Sequence, residues 1–224
     1  MCFTPNVSLT TAIIEFFVAT YILHINKSKL TKGLALFIYL LGFYQFTEFM
    51  LCTTAFPELW ARLGFITYTL LPALALHLTL NHVKKKPNLI YIYIIPVIYS
   101  VTALVNQNFI LNTSCGRYFV SVQNIFYNPG YLFPATVYFL YYFGFVIFVC
   151  YLLVKHYTKQ KNIFEKQLDL DAIIAMTVSL VPALVLFFLF PAFSISFPSV
   201  YCQFALIFTI AALIAVHLEL KIKK

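Results

Sequence analysis

Residues 34–55 read LALFIYLLGFYQFTEFMLCTTA. An α-helix rises 1.5 Å per residue and a bilayer core is about 30 Å thick, so roughly 20 apolar residues cross it. This stretch is long enough, and its single charge, Glu48, lies inside it rather than at an edge. Six more runs of the same kind follow from the same rule: Val7 to Ile25, Phe65 to Val83, Leu89 to Phe109, Pro134 to Val154, Ala172 to Phe193 and Val200 to Leu220. The expected fold is all-α, a polytopic membrane protein with one seven-transmembrane-helix domain over residues 1–224.

Composition agrees with that reading. Of 224 residues, 62% are hydrophobic and 10% charged, whereas a soluble domain carries about 25% charged residues. The longest segment between apolar runs is 110–133, which leaves no length for a soluble catalytic or DNA-binding domain. The first run lacks a basic leader and a small-residue cleavage site, so it reads as a helix rather than a signal peptide.

The net charge of +8 is explained by topology rather than by nucleic acid. Lys27, Lys29 and Lys32 fall in the first loop, Lys84 to Lys86 in the third, Lys155, Lys159, Lys161 and Lys166 in the fifth, and Lys221, Lys223 and Lys224 in the tail. Only Arg62 and Arg117 fall on the opposite side. Positive charge collects on the cytoplasmic face, so the amino terminus is expected outside and the carboxyl terminus inside. The expected partners are the lipid bilayer, a small or hydrophobic ligand, and a cytoplasmic or membrane signalling partner; no nucleic acid is expected.

Two connections stand out. Residues 110–133 contain Cys115, Gly116, Arg117 and the turn Asn128-Pro129-Gly130, and are expected to form a lid over the outer mouth of the bundle. The inner loop KHYTKQKNIFEKQLDLD, residues 155–171, carries mixed charge that suits a solvated helix extension.

A charge within a span costs about 2.5–3.5 kcal/mol on insertion scales and generally faces the bundle interior. Glu15 and Glu48 are the two clear cases. Counted from the outer ends of their runs, both lie roughly 10–12 Å deep, which would set two carboxylates at one level. Such a pair could share a proton, hold a cation or bond a ligand; alternatively, each glutamate is tied to a neighbouring tyrosine, glutamine or carbonyl as structural glue. Gln45 shares the Glu48 face, and Thr47 and Thr53 add hydroxyls. His77 lies deeper, roughly 9 Å or more from Glu48 along the membrane normal, unless Pro72 kinks the helix. His82 reads as interfacial, and His24, His156 and His217 as snorkelling or solvated rings. No convergent trio of histidines for a zinc hydrolase is visible.

Cys2, Cys52, Cys115 and Cys202 are placed on the outer side, and Cys150 as a buried small hydrophobe. Four outer cysteines allow three pairings, and Cys2 with Cys115 would staple the amino terminus to the lid. If Met1 is removed, Cys2 also offers a thiol beside a free amine, suited to a soft metal or a nucleophile. The cofactor stays open.

The opening Met1-Cys2-Phe3-Thr4-Pro5-Asn6-Val7-Ser8-Leu9 and the stretch Gly42-Phe43-Tyr44-Gln45-Phe46-Thr47-Glu48 resemble a bacterial family of small multi-span proteins that begin Met-Cys-Phe-Ser and carry Gln-Gln-x-x-Glu-Gly in helix two. Here Thr4, Tyr44 and Phe49 depart from that pattern, and the resemblance implies no particular activity. The stretch Glu58-Leu59-Trp60-Ala61-Arg62-Leu63-Gly64 followed by Leu71-Pro72-Ala73-Leu74 is similar to the seven-helix amino-terminal sensor region of some histidine kinases. That resemblance implies a sensing bundle in the cell membrane, the inner membrane of a bacterium. With no kinase domain after Lys224, the signal is expected to leave through a separate partner.

Other seven-helix classes fit less well: helix seven has no mid-span lysine for retinal, and the signatures of G-protein-coupled receptors and of ceramidase-like hydrolases are missing. The expected function is therefore a sensory or ligand-binding membrane protein whose outward pocket uses Glu48, Gln45, Glu15 and His77. The alternative is a membrane-embedded enzyme or metal/redox protein that uses Cys2 with an intramembrane glutamate.

Overall fold

The computed structural model describes residues 5–116, 120–189 and 205–222, with the side chains of all of these but 180–189 and 222. Cys2, Arg117 and Cys202 lie outside the described residues. Seven α-helices run through the described chain: α1 Pro5–Ile25, α2 Lys29–Thr53, α3 Pro57–His82, α4 Leu89–Val105, α5 Leu132–Lys159, α6 Ile163–Leu189 and α7 Ala205–Ile222. Between α4 and α5 the chain forms two strands, β1 Ile110–Cys115 and β2 Val120–Asn124. The fold class is the helical membrane bundle read from the sequence.

Local chemistry sets the helix ends. Ser28 caps α2 by accepting the Thr31 amide at 2.9 Å, and Asn88 caps α4 by accepting that of Ile90 at 3.2 Å. Pro57 starts α3, where a missing N–H costs nothing because first-turn amides have no helical partner. Pro72 and Pro96 lie inside α3 and α4; α3 nonetheless continues as one helix to His82, and His77 is not brought toward Glu48.

α4 stops at Val105, short of the apolar run that continues to Phe109. Asn106 turns the chain, its side chain accepting the Asn108 amide at 3.0 Å. Arg62 of α3 holds that turn, donating to the carbonyls of Ala103 at 2.7 Å and Asn106 at 2.6 Å and also to that of Gln107. A guanidinium at the carboxyl end of a helix satisfies orphan carbonyls and opposes the negative end of the dipole. The role of Arg62 as a clamp was not apparent from its position as an outer charge.

α1 packs on α2, α2 on α3, α3 on both α4 and α5, α5 on α6, and α7 on α6, α1 and α2. Among the described residues, four helices are long and apolar enough to cross a membrane singly: α1, α2, α3 and α5. Their outward faces carry large apolar side chains such as Phe17, Leu36, Leu140 and Ile147, all exposed. An apolar exterior is what lipid solvates, so the chain is a multi-pass membrane protein. The bundle has two distinct ends. One holds the lysine-bearing connections α1–α2, α3–α4 and α5–α6; the other holds the hairpin.

Glu219 fastens α7 at the lysine-bearing end. Its Oε2 accepts from Asn26 Nδ2 at 2.9 Å, Ser28 Oγ at 2.7 Å and Thr31 Oγ1 at 2.9 Å. The final described helix is thereby locked to the α1–α2 turn.

Candidate functional site

The hairpin end is organised by the α4–α5 connection. β1 and β2 pair antiparallel in the register Thr113↔Val122 and Cys115↔Val120, with an irregularity between Ile110 and Asn112. Residues 110–133, expected as a lid over the outer mouth of the bundle, contain both strands. The alternation Val120-Ser121-Val122-Gln123 carries the period-two signal of a half-buried strand, and that signal was legible. Turns at Asn124 and Asn128 follow, where each side chain accepts the amide two residues on at 3.0 Å.

Two attachments hold the hairpin to the bundle. Cys115 at the end of β1 is disulfide-bonded to Cys52 of α2. Cys115 is thus spoken for, and the pairing of Cys2 with Cys115 that would have stapled the amino terminus does not form. The second attachment is aromatic. Phe65 of α3 is buried with ring centroids 4.7 Å from Phe109 and 5.4 Å from Tyr138.

Beneath the hairpin is a cavity of about 40 Å³. Tyr44, Thr47 and Glu48 of α2, Trp60 and Gly64 of α3, and Val122 of β2 are among its walls. Tyr44 donates its hydroxyl to Glu48 Oε1 at 2.9 Å, and Ser8 of α1 lies 3.5 Å from Oε2. Glu48 is 5% exposed. Gly64 allows α3 to approach here, since a Cβ on it would stand 2.9 Å from Thr47 Oγ1. Any larger residue would displace the Thr47 hydroxyl from the Tyr44 carbonyl, which it bonds at 2.7 Å.

The other sequence-read candidates separate from this cavity. Glu15 does not share a level with Glu48. Ser8 meets Glu48, whereas Glu15 packs against Gly42, whose added Cβ would be 3.2 Å from the Glu15 Cβ. The helices are antiparallel, so Glu15 lies nearly two turns, roughly 10 Å, further into the bundle than Ser8. The level estimate failed because α1 begins before Val7 and α2 ends before Ala55. Each end shift moves the carboxylates apart. The structural-glue reading holds for the Tyr44–Glu48 bond but not for Glu15, which has neither carboxyl oxygen bonded among the described residues.

Burying a carboxyl group without a partner costs about 1–3 kcal/mol. Glu15→Leu is therefore expected to raise stability by about that amount, read as a higher thermal-unfolding midpoint in detergent. A lower midpoint would show that Glu15 makes a stabilising bond.

Gln45 is fully buried on α2 and does not figure among the described cavity walls. His77 faces α4, with Nδ1 3.0 Å from the Tyr93 hydroxyl. It is a helix–helix contact, not a member of the Glu48 site. Thr53 turns back on its own helix, bonding the Phe49 carbonyl at 2.9 Å. Cys150 is a free, half-buried thiol. Tyr44, Trp60, Tyr68 and Tyr127 are among the cavity residues to which no site role was assigned from the sequence. Tyr44 could have been found as the residue one turn before Glu48.

A second, apolar cavity of about 130 Å³ opens among α2, α3, α5, α6 and α7, with Leu34, Phe37, Val149 and Phe208 in its walls. His82 and Asp171 are its titratable neighbours. At the same end the connection read as solvated is partly buried: Asp169 is 0% exposed and bonded to both His82 and His156. Neither imidazole is the free interfacial or solvated ring that the sequence suggested.

The family model for the N-terminal 7TM region of histidine kinase matches residues 7–219. It covers all seven helices nearly to the end of α7, where the sequence resemblance rested on α3 alone. No curated protein and no solved structure matches the chain.

Proposed function

Because the chain belongs to the family of the N-terminal seven-transmembrane region of histidine kinases, a membrane sensory region, we propose that it detects a small cation or hydrogen-bond donor beneath the hairpin, with Glu48 as the acceptor. The observation that carries this reading is a nearly buried carboxylate set in the wall of a cavity that the hairpin roofs. Tyr44 fixes one oxygen of Glu48. An ionised carboxylate only accepts hydrogen bonds, so the chemistry that complements Glu48 is a cation or a hydrogen-bond donor.

Size restricts the ligand. A water needs about 10–15 Å³ of such volume, so the cavity holds roughly three. A ligand of more than three or four heavy atoms must lift the hairpin. Lifting it would pull on α2 through Cys52 and on α3 through Phe65, which supplies the differential contact that a two-state sensor requires. Family membership ties such a bundle to a kinase domain or signalling partner. By the distribution of lysines, the hairpin faces the non-cytoplasmic side.

The test compares ethylammonium with acetate, which are close in size and opposite in charge. Ethylammonium is expected to raise the unfolding midpoint of the purified protein, because a ligand that binds only the folded state stabilises it. Glu48→Gln should weaken the effect by about tenfold or more, the value of a hydrogen bond to a charged group. Equal stabilisation by acetate, or an undiminished effect in Glu48→Gln, would remove Glu48 from the site.

A further inference from the structure

Three helices bring metal-binding side chains to one point at the lysine-bearing end. His82 is the last residue of α3, His156 lies in the last turn of α5, and Asp169 lies near the start of α6. Asp169 Oδ1 is 2.8 Å from His82 Nε2, and Oδ2 is 2.7 Å from His156 Nδ1. The carboxylate is fully buried, whereas the two imidazole side chains are 14% and 17% exposed. One candidate ligand atom from each residue lies within 4.8 Å of the other two.

We propose that His82, His156 and Asp169 form a binding site for a divalent transition-metal ion of the zinc class. A buried carboxylate needs hydrogen-bond partners, an opposite charge or a metal, and the two groups that meet this one are imidazole nitrogens, themselves metal donors. Two imidazole nitrogens and one carboxylate form the donor set of an open three-ligand zinc site, with metal–ligand distances of about 2.0–2.2 Å. Ligands of a tetrahedral ion stand about 3.3 Å apart, so small rotamer adjustments convert the present spacing. The partly exposed rings leave the fourth position to water.

Supporting groups are in place around the ligands. Gln160 Nε2 is 3.1 Å from the far nitrogen of His156 and also bonds Glu165. Side chains of this kind orient a ligating imidazole and fix its tautomer. Ligation through Nδ1 would leave the proton on the far nitrogen, so the Gln160 amide would turn its oxygen to that ring and give up its bond to Glu165. Lys84 stands 3.9 Å from Glu165 but is 80% exposed, and salt screens it far more than it screens the buried carboxylate. A bound ion would tie the ends of α3, α5 and α6 together at the end opposite the hairpin.

The experiment uses the full chain, freed of any affinity tag and treated with chelator, with Co²⁺ as the probe. One cobalt per chain is expected, with the intense visible ligand-field band of a four-coordinate site. The band should be lost in both His82→Gln and Asp169→Asn, and Gln160→Ala should weaken binding about tenfold. No band in the wild type, or a band that survives in the His82→Gln/Asp169→Asn double variant, overturns the proposal. Should the variants fail to fold, X-ray absorption of the zinc-loaded wild type decides. A shell with two imidazoles supports the site, and a sulfur or all-oxygen shell overturns it.

Discussion

Cys52→Ser releases the hairpin from α2 and lowers the stability of the protein by about 2–3 kcal/mol. The two cysteines are 63 residues apart, and for a loop of that length the chain-entropy relation gives about 4 kcal/mol. The expectation is set lower because α3 and α4 lie within the loop. In lipid those helices keep their backbone hydrogen bonds even when tertiary packing is lost, so the unfolded chain has less freedom for the bond to remove. The effect should be local as well as global. Limited proteolysis between α4 and α5 should accelerate in Cys52→Ser, in Cys115→Ser and in wild-type protein treated with reductant. An unchanged midpoint together with unchanged cleavage would show that the aromatic contacts hold the hairpin unaided.

Those contacts give the second large effect. Phe65→Ala is expected to cost about 3 kcal/mol, at the lower end for a buried phenylalanine. Lipid already solvates an apolar ring, so less of the cost comes from water transfer and more from lost packing. Phe65 touches Phe109 and Phe126 from the hairpin side and Tyr68 and Tyr138 from the bundle. The vacancy would therefore open between cavity roof and floor. Because Phe65 and Cys52 restrain the same hairpin, their combined loss should differ from the sum of the single losses. Thermal unfolding of the two single variants and the double variant measures this; strict additivity would mean that the disulfide and the ring stabilise separate parts.

The bundle was legible in the sequence because lipid permits few structures. Any apolar run of sufficient length must satisfy its backbone internally, and in this chain a helix does so. Glu48 was legible for the same reason: a charge in such a run needs an interior partner. Its relation to Glu15 was not, because apolar runs mark the membrane rather than the ends of helices. Shifts of a few residues at the ends of α1 and α2 separate two carboxylates that counting had placed together. The β2 strand was legible in the alternation of Val120 and Val122 with polar neighbours, whereas its pairing with β1 was not, because no local pattern fixes a register.

Asp169 was missed for a different reason. The run from Lys155 to Asp171 is rich in charge, and composition alone assigns it to water. Burial there comes from α3 and α5 supplying one imidazole each, a long-range pairing that no local pattern encodes. His82 and His156 accordingly looked like ordinary interfacial side chains. The clamp made by Arg62 and the tie made by Glu219 are of the same kind, since each joins elements distant in the chain.

Recognition of a small solute beside Glu48 under the hairpin has a built-in reporter. Trp60 is the single tryptophan of the chain and stands in the wall of that cavity, so its fluorescence reports on the site without a label. Titration with ethylammonium should give a saturable change in the wild type, a markedly weakened one in Glu48→Gln, and the wild-type curve in His77→Ala. A flat wild-type response, or one that Glu48→Gln leaves intact, would contradict the account.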